Sequence, residues 1–260
     1  MSLTPGGPPA ILRGTLPLSK PRTAAKHLKL LVYGDPGTGK TFLAGSAEDV
    51  PEMQDVFYVD AEKGVLSIQR RGEHLDVFDM NDFDVDAERV VDFLIHESNG
   101  QYRTVVLDSL SSIYTMAMRS TENYLMNQSK SGAVDGRALF GETSRSIEVF
   151  LKALYDQPIS LIATCHEKEV RDERTKEVKV LPSLPGQLAT AVARYFDIVG
   201  RLYVHVDFEE GGSHRVWDIE RRMIMDSHWK YMAKNRFGHG ARDGEFIEPT
   251  LPKIWQAVYG

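Results

Sequence analysis

The sequence predicts an α/β protein: a mostly parallel central sheet flanked by helices, with an antiparallel extension towards the C-terminus. Three observations predict it. Short, almost wholly apolar runs, the mark of strands buried on both faces, alternate with segments of helical spacing from residue 28 to residue 164. The first of these runs leads straight into a glycine-rich turn and a helix start. Beyond Cys165 charge density rises, and two segments alternate polar and apolar residues around Glu209-Glu-Gly-Gly212, as antiparallel strands do.

Each element follows in chain order. Residues 1–25, rich in Pro, Gly and Lys/Arg, read as a flexible N-terminal arm, which leaves 26–260 as one domain. Leu28–Tyr33 is a buried strand and Phe42–Ala47 the first turns of a helix. Asp55–Asp60 is a second strand and Leu75–Asp79 a weaker third. Ala87–His96 repeats apolar residues at helical spacing. Thr104–Asp108 is a short apolar strand ending in an acid. A helix follows from Ser112, then the polar, glycine-containing stretch Asn127–Gly141, then a helix over Glu142–Tyr155. Ile159–Thr164 is the next buried strand. Glu167–Lys179, dense in charge and turning near Asp172–Lys176, is an exposed hairpin or mobile loop. Asp197–Asp207 and Arg215–Met223 are the antiparallel pair.

Composition sets limits. With 260 residues, 42% hydrophobic and 26% charged, the chain can bury one large core without a second domain. A single cysteine, Cys165, excludes a disulfide framework and points to a reducing, cytoplasmic setting. The start, Met1–Pro9, lacks the basic and apolar regions of a signal peptide, and no apolar run is long enough to span a bilayer. A formal net charge of −6 argues against coating nucleic acid by bulk electrostatics, so any such contact is expected to be local.

Gly34, Asp35, Pro36, Gly37, Thr38, Gly39, Lys40 and Thr41 spell G-x-x-x-x-G-K-[ST] between the first strand and Phe42, the opening of the helix. This is the spacing of a phosphate-binding loop, in which glycines let backbone N–H groups converge on an anion. Gly34–Phe42 is therefore the expected nucleotide-binding stretch. Lys40 would reach the β- and γ-phosphates of ATP, and the Thr41 hydroxyl would hold Mg²⁺. Asp108 is the expected second metal residue; on its own it would read as a strand-terminal cap. In many ring ATPases of the AAA+ type a catalytic glutamate follows this aspartate, but here Ser109 does. Glu62, just past the second strand, is the alternative base, because C-terminal ends of parallel strands gather on the phosphate-loop face. The plainer alternative is a polar strand exit made by Asp60 and Glu62.

Asp60-Ala-Glu62, Asp108-Ser109, His166 at the end of the next core strand, and Lys234-Asn-Arg-Phe-Gly238 together resemble the RecA-like P-loop NTPase core, the fold of recombinases and hexameric replicative helicases. The resemblance covers residues 28–238 and implies roles. Glu62 would be the catalytic glutamate and His166 a γ-phosphate sensor. Lys234 and Arg236 would form the Lys-x-Arg finger that reaches a neighbouring subunit's site, which makes the protein a homo-oligomer, ring or filament, with shared sites. Around that finger Arg221, Arg222, Lys230 and Arg242 face few acids in the sequence. The size is most similar to the short RecA-core ATPases of bacteriophages, associated with recombination and single-strand annealing. That likeness implies single-stranded DNA as a partner, a single-strand-binding or other recombination protein as a further one, and the cytoplasm of a bacterial host as the location.

DNA contacts would fall in two loops, Asn127–Gly141 and Glu167–Gly186. The second carries Lys168, Arg171, Arg174, Lys176 and Lys179 with nearly as many acids, so a solvated hairpin is the competing interpretation. Tyr124 and Phe140 are candidates for stacking on bases, or else core aromatics. Trp217, Trp229 and Trp255 are expected only to pack. The expected activity is a Mg-dependent ATPase acting on single-stranded DNA; the alternative is a nucleotide-dependent switch or assembly ATPase whose charged loops hold a protein partner.

Overall fold

The computed structural model describes residues 26–70, 72–129, 132–208, 216–238 and 245–260. The predicted arm (1–25), the Glu209–Gly212 turn and Arg242 lie outside these residues.

The chain forms β1 (Lys29–Gly34), α1 (Lys40–Gly45), β2 (Val56–Asp60), β3 (Leu75–Asp79), α2 (Phe83–Asp92), β4 (Thr104–Asp108), α3 (Leu110–Gln128), α4 (Gly136–Tyr155), β5 (Ser160–Arg171), β6 (Val178–Pro182), α5 (Leu188–Val192), β7 (Ile198–Phe208), β8 (Val216–Ile224), β9 (Lys234–Asn235), β10 (Glu245–Ile247) and α6 (Leu251–Tyr259). The sheet runs β10-β8-β7-β1-β5-β4-β2-β3, with β6 added to β5 and β9 to β7. From β3 to the start of β7 every neighbour on this path is parallel. β8 runs antiparallel to both of its neighbours, β7 and β10. The mostly parallel sheet with an antiparallel C-terminal extension is the architecture the sequence predicts.

Side chains alternate across a strand, so each parallel strand feeds two cores. Leu31 and Tyr33 join Phe57, Val59, Val105 and Leu107 beneath α2, α3 and α4. Leu30 and Val32 join Tyr58, Val106 and Ile162 beneath α1 and α6. Both faces being covered explains why these strands read as continuous apolar runs.

Boundaries differ from expectation where caps decide them. α2 starts at Phe83 rather than Ala87 because the Asp82 carboxylate accepts from Asp84 and Val85 N–H. α3 starts at Leu110, capped by Ser109, and α4 starts at Gly136 rather than Glu142, capped by Asp135. Such caps are worth about 1 kcal/mol each, enough to shift a helix start past polar residues. β5 does not stop at Thr164; it continues to Arg171 because β6 pairs with its second half, Glu167 opposite Pro182 and Arg171 opposite Val178. The charged segment is thus a formed hairpin, closed by Asp172, whose carboxylate accepts from Arg174 N–H (2.8 Å) and Thr175 N–H (2.9 Å).

Register sets the site. Asp60 lies opposite Asp108, and Gly34 opposite His166, so β1, β2, β4 and the core half of β5 end level at one edge of the sheet. β5 lies between β1 and β4.

Candidate active site

The loop between β1 and α1 is shaped by its glycines. A Cβ on Gly34 would stand 2.1 Å from the Leu202 carbonyl oxygen, so no other residue fits there. Gly37 and Gly39 sit at φ +80° and +96°, the left-handed region that other residues avoid. Lys40 follows, buried, with its ammonium donating to the Gly34 (2.9 Å) and Asp35 (2.8 Å) carbonyls of its own loop. Burial lowers its pKa, and Glu62, Asp108, Cys165 and Asp35 pull it back up. Phe42 opens the first turn of α1 and is exposed.

Asp108 is buried at the end of β4. Its Oδ2 accepts from the Thr41 hydroxyl at 2.7 Å and from the Tyr58 hydroxyl at 2.5 Å, and its Oδ1 accepts from the Thr164 hydroxyl. Burial, then the neighbouring Asp108 charge, drives the Tyr58 pKa far upward, which keeps the phenol a donor. No sequence motif marks Tyr58 or Thr164. The signal in the sequence is one hydroxyl near the end of each strand flanking the aspartate's strand, Tyr58 opposite Val106 and Thr164 just past the Leu107–Ala163 pair.

Glu62 stands on the turn after β2. Asp60 builds that turn: its carboxylate accepts from the N–H groups of Glu62 (3.0 Å), Gly64 (3.2 Å) and Val65 (3.2 Å). The two acids of Asp60-Ala-Glu62 therefore divide their work, one folding the backbone and the other facing the site. Glu62 Oε1 accepts from the Ser109 hydroxyl, from Ser112 Oγ (3.2 Å), and lies 2.8 Å from His166 Nε2. Glu62 thus meets the residue directly after Asp108, although it comes from a different strand. His166 is fixed in turn by its backbone N–H, which donates to Ser111 Oγ at 3.0 Å. Ser109, Ser111 and Ser112, all at the start of α3, link the strand ends into one network. The Asp108–Ser109 peptide is cis. Cys165, buried beside Ser111, has its thiol pushed up to about 11 by burial, so it stays a neutral packing residue.

The structure does not bring Lys234 and Arg236 to this edge. β9 pairs with the first residues of β7, Asn235 opposite Ile198, and Ile198 lies opposite Leu30 at the start of β1. They sit at the far end of the sheet. There Lys234 donates to the Ala193 (2.9 Å) and Phe196 (2.6 Å) carbonyls, and Arg236 pairs with Asp197 at 2.8 Å. The expected lack of acids around the basic residues does not hold either. Arg222 pairs with Glu220 (2.8 Å) and Glu245 (3.6 Å), and Arg221 with Glu248 (3.9 Å).

Next to His166 lies a groove of about 450 Å³ lined by hydroxyls of Ser111, Ser112 and Thr115 together with Phe140 and Lys168. Phe140 is 50% exposed at its rim, and Tyr124 is exposed along α3. Lys168 donates to the Leu184 carbonyl. Trp255 packs in the core as expected, whereas Trp229 is 73% exposed and stacked on His228. Trp217 has a side chain outside what the structure describes.

A loop that folds its lysine onto its own carbonyls beside a hydroxyl–carboxylate pair offers both partners a phosphate–metal group needs: a cation and hard oxygens. Fold and loop together put the chain in the class of P-loop NTPases. More narrowly, the chain belongs to the AAA domain family, which it matches over residues 26–237. No curated protein matches it. Among solved structures it is similar to the flagellar accessory protein FlaH from Methanocaldococcus jannaschii, with 14% identity over 85% of this chain and 84% of that one, at a TM-score of 0.42. It is also similar to the RadB recombinase, with 21% identity over 75% of this chain and 78% of that one, at a TM-score of 0.40. No helix among the described residues is long and apolar enough to cross a membrane.

Proposed function

We propose that the protein is a Mg-dependent, RecA-like ATPase that works on single-stranded DNA, in the recombination or replication of a phage. The observation that carries this is the path of β5. It holds His166 2.8 Å from Glu62 and then runs on without a break into the exposed β5–β6 hairpin. A change at the acidic edge therefore has a direct mechanical route to a surface that bears Arg171, Arg174 and Lys179, all exposed.

The residues present fit the nucleotide. The glycines leave the loop open to phosphate, Lys40 exchanges its two carbonyls for β/γ-phosphate oxygens, and Thr41 with Asp108 would hold Mg²⁺. The metal, when bound, neutralises charge on the phosphates. Glu62 polarises the attacking water and takes its proton, with Ser109 and Ser112 orienting the carboxylate. His166, bonded to the same carboxylate, senses the γ-phosphate. Lys234 and Arg236 serve a neighbouring copy, since within one chain they lie at the wrong end of the sheet; this requires a homo-oligomer, ring or filament, and fits an arginine-finger role. The groove beside His166, with Phe140 at its rim, supplies a stacking surface for a base. A single-strand-binding or other recombination protein is the natural further partner, and a bacterial cytoplasm the natural setting.

The test is ATP turnover with and without single-stranded DNA over a range of salt. Turnover should rise with DNA, and the rise should shrink as salt increases, because phosphate contacts release counterions. Arg171→Ala with Arg174→Ala should remove the stimulation and keep basal turnover. Turnover indifferent to DNA, with no binding by fluorescence anisotropy, would mean that the charged hairpin holds a protein partner instead, in a nucleotide-dependent switch.

A further inference from the structure

We infer that Arg221 is a nucleotide-binding residue acting in cis, gripping the nucleoside end of the bound nucleotide at its α-phosphate. This rests on the phosphate loop binding a nucleoside triphosphate as proposed, and it adds a residue that no sequence motif marks. Arg221 lies on β8, opposite Val204 of β7, and β7 in turn flanks β1. Its side chain crosses back over the loop: a Cβ on Gly39 would stand 2.9 Å from the Arg221 Nε and 3.1 Å from its Cδ. Gly39 is thus required twice, for φ +96° and because its bare face makes room for this guanidinium.

Direction follows from the order of the strands. Asp108, Glu62 and His166 all approach the loop from the β5–β4–β2 side, and Arg221 approaches from the β7–β8 side. Water attack belongs to the side with the acids, so the γ-phosphate points there. The opposite end of the phosphate chain, with the nucleoside attached, points towards Arg221.

The arginine is held for such a role without being used up. Glu248 clamps its backbone: Arg221 N–H donates to Glu248 Oε1 at 2.7 Å, and Glu248 N–H donates to the Arg221 carbonyl at 2.7 Å. Among the described residues the guanidinium has only a long ion pair with Glu248, 3.9 Å, and the side chain is 48% exposed. An exposed pair of that length contributes about 1 kcal/mol or less, whereas guanidinium–phosphate contacts are short, charge-assisted and often bidentate. Exchanging the first for the second is favourable.

A contact at the nucleoside end is made equally in the ground and transition states, so it raises affinity without raising turnover. Titration of a fluorescent ATP analogue and its ADP counterpart should show Arg221→Ala weakening both about tenfold, by the same factor, with KM raised and kcat unchanged. Arg221→Lys should recover part of the affinity, and both variants should melt with wild type, since the residue is on the surface. Unchanged affinity for both nucleotides, with wild type binding normally, would overturn the assignment while leaving the phosphate loop standing. A loss confined to ATP would also overturn it, by moving the contact to the γ-phosphate. Failure of wild type itself to bind either nucleotide would sink both this inference and the proposal beneath it.

Discussion

β1 has a buried lysine at each end, and the two differ in what their ammonium groups hold. Lys40, past the C-terminal end, donates to carbonyls five and six residues away in its own loop. Lys29, the first residue of the strand, donates at 3.3 Å to the carbonyls of Tyr155 and Gln157, 126 and 128 residues away. Burial lowers the pKa of both, that of Lys29 to about 8. Their chemistry is the same and their surroundings are not. Around Lys40 the loop turns on two glycines with positive φ, and the charges of Glu62 and Asp108 act on it. Around Lys29 the two carbonyls belong to the end of α4 and the turn after it, brought to β1 by the fold. A buried cation is available to a ligand when its partners are local and replaceable. It is a staple when they join distant segments.

The strongest way to break this contrast is at the carboxylate facing Lys40. Glu62→Gln keeps volume and can still accept from Ser109 and Ser112, but it cannot take a proton from water. Turnover should fall about 10²–10⁴-fold with nucleotide affinity retained. Surviving turnover would move the base elsewhere and leave Glu62 as part of a polar strand exit.

A smaller effect separates the lysines directly. Saturating ATP raises the melting temperature of a protein that binds it in the folded state alone. At ATP about 100 times the wild-type dissociation constant, Lys40→Ala, with affinity lower by about 100-fold, should lose most of that rise, while Lys29→Met should keep the full rise on a shifted baseline. If both variants respond to ATP alike, the two ends are not functionally distinct.

Much of this edge was legible in the sequence, and the reason is local geometry. The phosphate loop, Asp108 and Glu62 are specified by short spacings next to apolar strands, and parallel strands carry them to one edge whatever their order. Tyr58, Thr164 and Ser112 were not legible, because each reaches a partner on a separate element that only the sheet order brings beside it. β5 ran seven residues past its apolar core because β6 pairs with it, an event that a charged stretch does not announce. Lys234 and Arg236 show the converse: their spacing is plain in the sequence, but which end of the sheet they occupy depends on β9 pairing with the start of β7.

The smallest expected effect tests the staple itself. Lys29 has its pKa lowered to about 8 by burial, an effect that Asp197 and Asp156 only partly offset. In the unfolded chain the lysine keeps its proton to about pH 10.4. Below pH 8 both states are protonated, and the folded one bears the cost of a desolvated charge. Between pH 8 and 10 the unfolded state binds more protons, so stability must rise with pH through that window. Lys29→Met has no such proton to release. The stability of wild type relative to Lys29→Met should therefore climb from pH 7 to pH 9.5, by at most about 1.4 kcal/mol per pH unit. Cys165, held up at about 11, opposes the rise above pH 9 but does so in both proteins and cancels in the difference. Thermal or urea unfolding at four or five pH values measures it. A flat difference would mean that Lys29 is solvated in solution, and the contrast with Lys40 would then rest on partners alone, without burial.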